Sequence, residues 1–324
     1  KYFDSEEAAI ENSHLNQDLV QKQVSLRSFT TLRVGGPAEF LIECHSAEAL
    51  CDAYRYGRRM GLPTTIIGMG SNLLPSDRGI SGLVIVNRAT KISVAKTGEV
   101  VAETGAGFQD VFLRTAQAGL SGLSFSVGIP GTVGGALVSN AGAYRSCIGD
   151  YLQEVEIIDA EGCRWVPKEW MRLSYRDSVF RERSLVAAMT RLHLKLPQGD
   201  RKAIYDEARE YQRQRIGKQP AGPSAGSFFK NVLNQKLAAD LPGLTTGMRE
   251  SGVAPAGFLI EAVGLKGFRL GGAMLGARHA NFILNVGRST ASEIREIAEH
   301  AKKRVFDKFG VLLEEEVLYL GDWN

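Results

Sequence analysis

Three features predict a mixed α+β fold: short apolar runs broken by glycine, helix-period segments set between them, and two stretches dense in glycine. AEFLIE at 38–43, TTIIG at 64–68 and GLVIV at 82–86 have the length and composition of strands. Between the first two, Ser46 can cap a helix that carries Ala49, Leu50, Ala53 and Tyr54 and ends at Gly61 and Pro63, which completes a β–α–β unit. Residues 91–107 alternate as a hairpin around Thr97-Gly98, and 108–120 return to helical periodicity. EVEIID, GCRWVP and SLVAAMTRLHLKL read as further strands before a charged helix, RKAIYDEAREYQRQRIGKQ, that ends at Pro220. Beyond it, GGAMLG, NFILNV and VLLEEEVLYL read as strands, and a helix starts at a Ser289 or Thr290 cap. Residues 1–23 are polar and acidic, with Ala8, Ala9, Ile10, Leu15 and Leu19 spaced as in a weakly amphipathic arm.

Composition narrows the function. The chain has 324 residues, 44% hydrophobic and 23% charged, enough for two or three domains with a real core. A formal charge of +3 leaves no basic stripe for a nucleic-acid backbone or an anionic membrane surface. The longest apolar runs are strand-sized and far below the roughly 20 residues of a membrane span. KYFDSEEAAIEN has no apolar leader core, and Cys44, Cys51, Cys147 and Cys163 form no CxxC and read as reduced, buried thiols. A cytoplasmic setting is expected. Five scattered histidines show no metal-ligand spacing, so no metal is expected.

The glycine-dense stretches are GMGSNLL at 68–74 and GLSGLSFSVGIPGTVGGALVSNAGAY at 119–144. Glycine permits positive φ and close approach of backbone amides to phosphate oxygens. No GxxxxGK[ST] occurs, and Gly68-Met69-Gly70 lacks the third glycine of a dinucleotide fingerprint. Spacing leaves turn glycines or a phosphate cradle open; the length and density of the second stretch favour the cradle.

These two segments are followed in order by LSYRDSVF (173–180), PSAGSFFKN (223–231), AGFLIEAVGLKG (256–267), RHANFILN (278–285) and LLEEEV (312–317). The series resembles the UDP-N-acetylenolpyruvoylglucosamine reductase family from about Ser28 to Val317. The short spacing from Phe180 to Gln212 is similar to the family's second type, which lacks an extra tyrosine loop. The resemblance implies a two-part FAD-binding module of the vanillyl-alcohol-oxidase type plus a third, substrate-binding α+β domain. The expected organisation is an arm at 1–23, FAD subdomains at 24–86 and 87–215, and a substrate domain at 216–324. It also implies noncovalent FAD, NADPH as reductant, and reduction of UDP-N-acetylglucosamine enolpyruvate to UDP-N-acetylmuramate for peptidoglycan synthesis. A catalytically silent flavin or sugar-nucleotide binding protein is the alternative.

That reaction places hydride on the terminal carbon of an enol ether and a proton on the carbon beside its carboxylate. It therefore needs a fixed cation for the enolate-like charge and a positioned acid. The resemblance assigns the proton to Ser227, whose hydroxyl could otherwise satisfy a turn. Arg176 is the cation, its fork suited to a carboxylate, although an arginine beside Asp177 also fits a local salt bridge. Glu316 matches the family's essential carboxylate; here Glu314-Glu315-Glu316 replaces a pattern with proline, and strand alternation sets Glu315 apart from the other two. Substrate contacts are expected from Lys218, Lys230, Asn231 and His279, with either lysine able to meet the pyrophosphate. FAD contacts carried over are Gly68, Gly70, Ser71 and Asn72, then Gly128, Ile129, Pro130, Gly131, Thr132, Gly134, Gly135, Asn140 and Gly142. Pro75, Val232 and Leu275-Gly276 depart from the family's usual residues.

Overall fold

The computed structural model describes residues 19–182 and 184–323. Most of the amphipathic arm expected at 1–23 lies outside the described residues; its end is a strand, Gln21–Ser25. The chain forms two compact units. Among the described residues one comprises 19–24, 38–69 and 80–217, the other 25–37, 70–79 and 218–323.

In the first unit a four-stranded sheet runs in the order Gln21–Ser25, Pro37–Cys44, Ile80–Asn87, Thr64–Ile67. Pro37–Cys44 and Thr64–Ile67 both lie parallel to Ile80–Asn87. Leu83 to Asn87 are all buried, the continuous pattern of a strand covered on both faces. Helix Ala47–Arg59 makes the crossover, with the Ser46 hydroxyl accepting from the Ala49 amide at 3.1 Å. The second sheet is antiparallel, in the order Gly162–Pro167, Leu152–Asp159, Ala188–Lys195, Glu99–Glu103, Ile92–Val94. Its core gathers Phe108, Phe125, Val133, Ile157 and Leu192. Helix Ala47–Arg59 lies between the sheets, because Leu50, Cys51 and Tyr54 share a core with Ile42 and Leu83 of one sheet and Ile158 and Ala188 of the other.

The second unit is built on an antiparallel sheet ordered Ser224–Ser227, Phe282–Asn285, Ala273–Leu275, Arg269–Leu270. Helix Ala291–Phe309 covers it with Ile294, Ile297, Ala298, Ala301 and Val305, at the three- and four-residue spacing of one helix face. Thr290, not Ser289, is the cap, in a capping box with Glu293. Asp77 accepts from the Ala291 and Ser292 amides, both at 2.8 Å, which fixes the 70–79 segment to that helix end.

Residues 25–37 and 70–79 cluster with the C-terminal unit, where Leu32, Val34 and Leu74 are buried in its core. Three expectations are corrected. VLLEEEVLYL is a strand only at Leu318–Leu320, which pairs parallel with Leu73–Pro75; before it, pairing is limited to an isolated antiparallel bridge of Glu315 with Phe229, flanked by main-chain bonds from 314, 316 and 317 to 228 and 230, and no ladder extends to 311. The charged helix ends at Ile216, capped at Gly217, rather than continuing to Gln219. The cysteines are not uniformly buried: Cys163 is exposed and Cys147 half-buried.

Candidate functional site

In the first unit the second glycine-dense segment leads into a short helix, Val133–Val138, capped by Thr132, whose hydroxyl accepts from the Gly135 amide at 3.1 Å. The Gly131 carbonyl accepts from the Phe108 amide, and the Val133 and Gly134 amides donate to the Ala106 and Thr104 carbonyls, so the segment is pinned to the sheet edge. A Cβ on Gly68 would lie 2.6 Å from the Thr132 hydroxyl, and one on Gly134 would lie 2.8 Å from the Thr104 carbonyl. Both positions therefore exclude a side chain. Gly128, Pro130 and Gly135 are exposed, Gly131 and Ile129 half-exposed, so this stretch turns backbone toward solvent.

Asn140 and Gly142 serve a second purpose. The Asn140 amide donates to the Ser174 carbonyl at 3.0 Å and its Oδ1 accepts from Gly149. Ser174 and Asp177 bond each other's main chain and close a turn with Tyr175 and Arg176 at its tip, where Arg176 has φ 54°. From there Arg176 Nη2 donates to the Gly142 carbonyl at 2.8 Å. Asp177 accepts from the Ser178 amide at 2.9 Å and lies 3.7 Å from Arg181.

Arg215, which sequence reasoning left in a charged helix, belongs to the same region. Its guanidinium lies 5.6 Å from the centre of the Tyr144 ring and donates to the Phe125 carbonyl at 3.3 Å, while Tyr144 stacks on Tyr211 at 3.8 Å. A Cβ on Gly128 would meet Arg215 Cδ at 3.0 Å. Burial pulls the Arg215 pKa below its ordinary value, and its buried Nε has no hydrogen-bond partner among the described residues. Tyr211 and Arg215, four residues apart on one helix face, were the available signal.

In the second unit Gly70 has φ 66°, and a Cβ there would land on the Phe29 carbonyl oxygen. Thr31 bonds the Gly70 carbonyl through its amide at 3.1 Å, and its hydroxyl donates to the Ser224 carbonyl at 2.7 Å. Ser71 is half-buried. Asn72 Nδ2 donates to the Glu316 carbonyl at 3.1 Å, and the Asn72 carbonyl accepts from Leu318.

Ser227 and Glu316 are brought together here. Ser227 ends strand Ser224–Ser227 opposite Phe282, after Gly226 with φ 77°. Phe228 is fully buried, so alternation turns half-buried Ser227 away from the core. The Phe228 carbonyl accepts from the Glu316 amide at 2.8 Å, and the Phe228 amide donates to Asn281 at 2.7 Å. Buried Asn281 also bonds both main-chain groups of Phe229 through its side chain, at 2.9 and 2.8 Å. Of the three glutamates, Glu314 is exposed, whereas Glu315 and Glu316 are half-buried. Glu315 bonds Lys302 at 2.9 Å.

The expected substrate contacts divide. Lys230 reaches Glu314 at 3.4 Å, and Asn231 Oδ1 accepts from the Ala256 amide at 3.2 Å. Lys218 is exposed. His279 Nδ1 accepts from the Asn281 amide at 3.2 Å, and burial lowers its pKa, with Lys218 and Lys266 adding to the effect. The hydrogen bond therefore assigns a neutral ring with Nε2–H as donor.

In the first unit, Gly68 and Gly134 without room for a Cβ, the outward-turned backbone at 128–131 and the buried Arg215 Nε fit an anionic dinucleotide such as FAD. Comparison with known proteins agrees. Residues 38–165 match the family model described as FAD binding domain, and 218–320 that of the UDP-N-acetylenolpyruvoylglucosamine reductase C-terminal domain. The chain is similar to the UDP-N-acetylenolpyruvoylglucosamine reductase of Synechococcus sp. (strain JA-3-3Ab), 37% identical over 94% of this chain and 92% of that one. With the Acaryochloris marina enzyme of the same name it shares 38% over 93% of each. The crystal structure of UDP-N-acetylenolpyruvylglucosamine reductase from Thermus caldophilus superposes with a TM-score of 0.72 at 32% identity, covering 93% of this chain and 98% of that one.

Proposed function

Because this chain belongs to the UDP-N-acetylenolpyruvoylglucosamine reductase family, we propose that Ser227, Arg176 and Glu316 carry out its reaction. The protein is an FAD-dependent oxidoreductase that uses NADPH to reduce UDP-N-acetylglucosamine enolpyruvate to UDP-N-acetylmuramate, a step of peptidoglycan synthesis. The observation that carries the residue assignment is the main-chain junction at Phe228, which holds Ser227 and Glu316 on adjoining segments and is tied through Asn72 to the glycine-rich turn.

When bound, FAD supplies the hydride transfer from NADPH to the substrate. The chain supplies the rest. Arg176 compensates the negative charge that hydride addition drives into the substrate carboxylate. Ser227 Oγ gives its proton to the carbon beside that carboxylate, and Glu316 hydrogen-bonds the reacting group. His279 offers its Nε2–H to the substrate. Lys218 meets the pyrophosphate in preference to Lys230, whose ammonium is engaged by Glu314. Asn231 adds a side-chain hydrogen bond to the same ligand.

Gly68, Gly70, Ser71, Gly128, Ile129, Pro130, Gly131, Thr132, Gly134 and Gly135 form the FAD cradle. Asn72, Asn140 and Gly142 support it while holding Glu316 and Arg176. Residues 24–86 and 87–215 serve the cofactor and 216–324 the sugar nucleotide, with 25–37 and 70–79 built into the latter's core. No helix among the described residues is long and apolar enough to cross a membrane. A cytoplasmic site of action, with effects on cell shape and division, follows from the reaction proposed.

The test is purification with visible flavin, followed by mass analysis of the product formed from NADPH and the enolpyruvyl nucleotide. Formation of the lactyl ether supports the reading. Bound flavin with no turnover points to a silent binding protein, and a protein without flavin overturns the cofactor assignment.

A further inference from the structure

The first unit holds a thiol pair on two elements that carry none of the residues assigned above. Cys51 lies on helix Ala47–Arg59 and Cys163 on strand Gly162–Pro167, with their sulfurs 2.9 Å apart. The packing explains the approach. Ile158 pairs with Cys163 on one side and Ala188 on the other, and both Ile158 and Ala188 share a core with Cys51, so Cys163 stands on the sheet face against which the helix rests. We infer that Cys51 and Cys163 are a modification site that closes reversibly to an intramolecular disulfide, with a low-molecular-weight disulfide such as oxidised glutathione as the oxidant.

A disulfide bond is about 2.0 Å long, so closure asks for roughly an ångström of movement, within the reach of side-chain rotation. The two thiols differ in a way that orders the chemistry. Cys163 is exposed, and Arg55 Nη2 lies 3.6 Å from its sulfur, itself held by Asp52 at 3.1 Å. Cys51 is buried, and its pKa is pushed above the usual thiol range first by that burial and then by the Cys163 sulfur. Cys163 therefore attacks the small disulfide and expels one thiol. Cys51 then loses its proton and attacks the Cys163 sulfur, expelling the second. Two protein thiols and one small disulfide become one protein disulfide and two small thiols. The other cysteines pair with oxygen instead: Cys44 donates to the Ala49 carbonyl and Cys147 to Asp150. The bridge would join residues 112 apart in sequence, closing a long loop of the unfolded chain.

The experiment incubates the reduced, folded full chain with oxidised glutathione, removes the reagent and counts thiols after denaturation. The expected result is loss of two of the four thiols, a Cys51–Cys163 peptide on mapping, and a melting temperature raised by roughly 5 °C. Cys51→Ala should stop at glutathione on Cys163, and Cys163→Ser, an exposed change, should form no bridge. Four thiols surviving, a stable glutathione adduct on Cys163 in the unaltered chain, or a bridge between other cysteines would overturn the inference. None of these readouts depends on turnover.

Discussion

Arg176 and Glu316 carry opposite charges and are held by opposite means. Arg176 sits at a turn tip with positive φ and is anchored by its own side chain, which donates to the Gly142 carbonyl, while Asn140 ties the base of the turn. Glu316 is anchored through its main chain, the amide to Phe228 and the carbonyl to Asn72. Replacing the glutamate side chain therefore leaves those two main-chain bonds in place, whereas replacing the arginine removes its bond to Gly142. The contrast separates a loss of chemistry from a loss of structure.

Glu316→Gln sharpens the comparison most. Turnover should fall about 100-fold or more, the scale of a positioned acid–base group. Flavin content and melting temperature should stay near those of the unaltered protein. Arg176→Ala should lower turnover comparably and also cost about 1.5–3 kcal/mol in urea unfolding, the worth of a hydrogen bond to a charged donor. Arg176→Lys keeps the charge but not the fork, so it should recover little of either. If Glu316→Gln melted earlier than Arg176→Ala, the contrast would be broken.

A smaller effect separates the lysines. Lys218→Ala should raise KM for the nucleotide about tenfold, consistent with losing one charge-assisted contact of about 1.4 kcal/mol. Lys230→Ala should leave KM nearly unchanged and cost at most about 1 kcal/mol of stability. The least effect concerns pH. His279 has a folded-state pKa below its unfolded value, so the unfolded chain binds the extra proton first as pH falls through about 6.5. Stability should decline below that pH, and His279→Gln should flatten the decline.

What the sequence disclosed and what it hid divide along contact distance. The Ser46 cap, the buried run at 83–87 and the order of the glycine-rich and Ser227 motifs are local, and each was readable from neighbouring residues. The Glu314–Glu316 segment was not. Val311 to Leu320 alternates like a strand, but 314–317 pair with the 228–230 main chain, more than eighty residues earlier. Arg215 was hidden for the same reason, since its place is set by Tyr144 and Phe125, far back in the chain. The membership of 25–37 and 70–79 in the C-terminal core depends on burying Leu32, Val34 and Leu74 against residues near Phe228, which no local pattern encodes.

The most direct test of the account is a separation of half-reactions in Ser227→Ala under anaerobic conditions. Reduction of the bound flavin by NADPH should proceed as in the unaltered protein. Its reoxidation by UDP-N-acetylglucosamine enolpyruvate should slow by about 100-fold or more, the loss expected when a positioned proton donor is removed. Reoxidation at the unaltered rate, or equal slowing of both halves, would contradict the assignment of Ser227 as the proton donor.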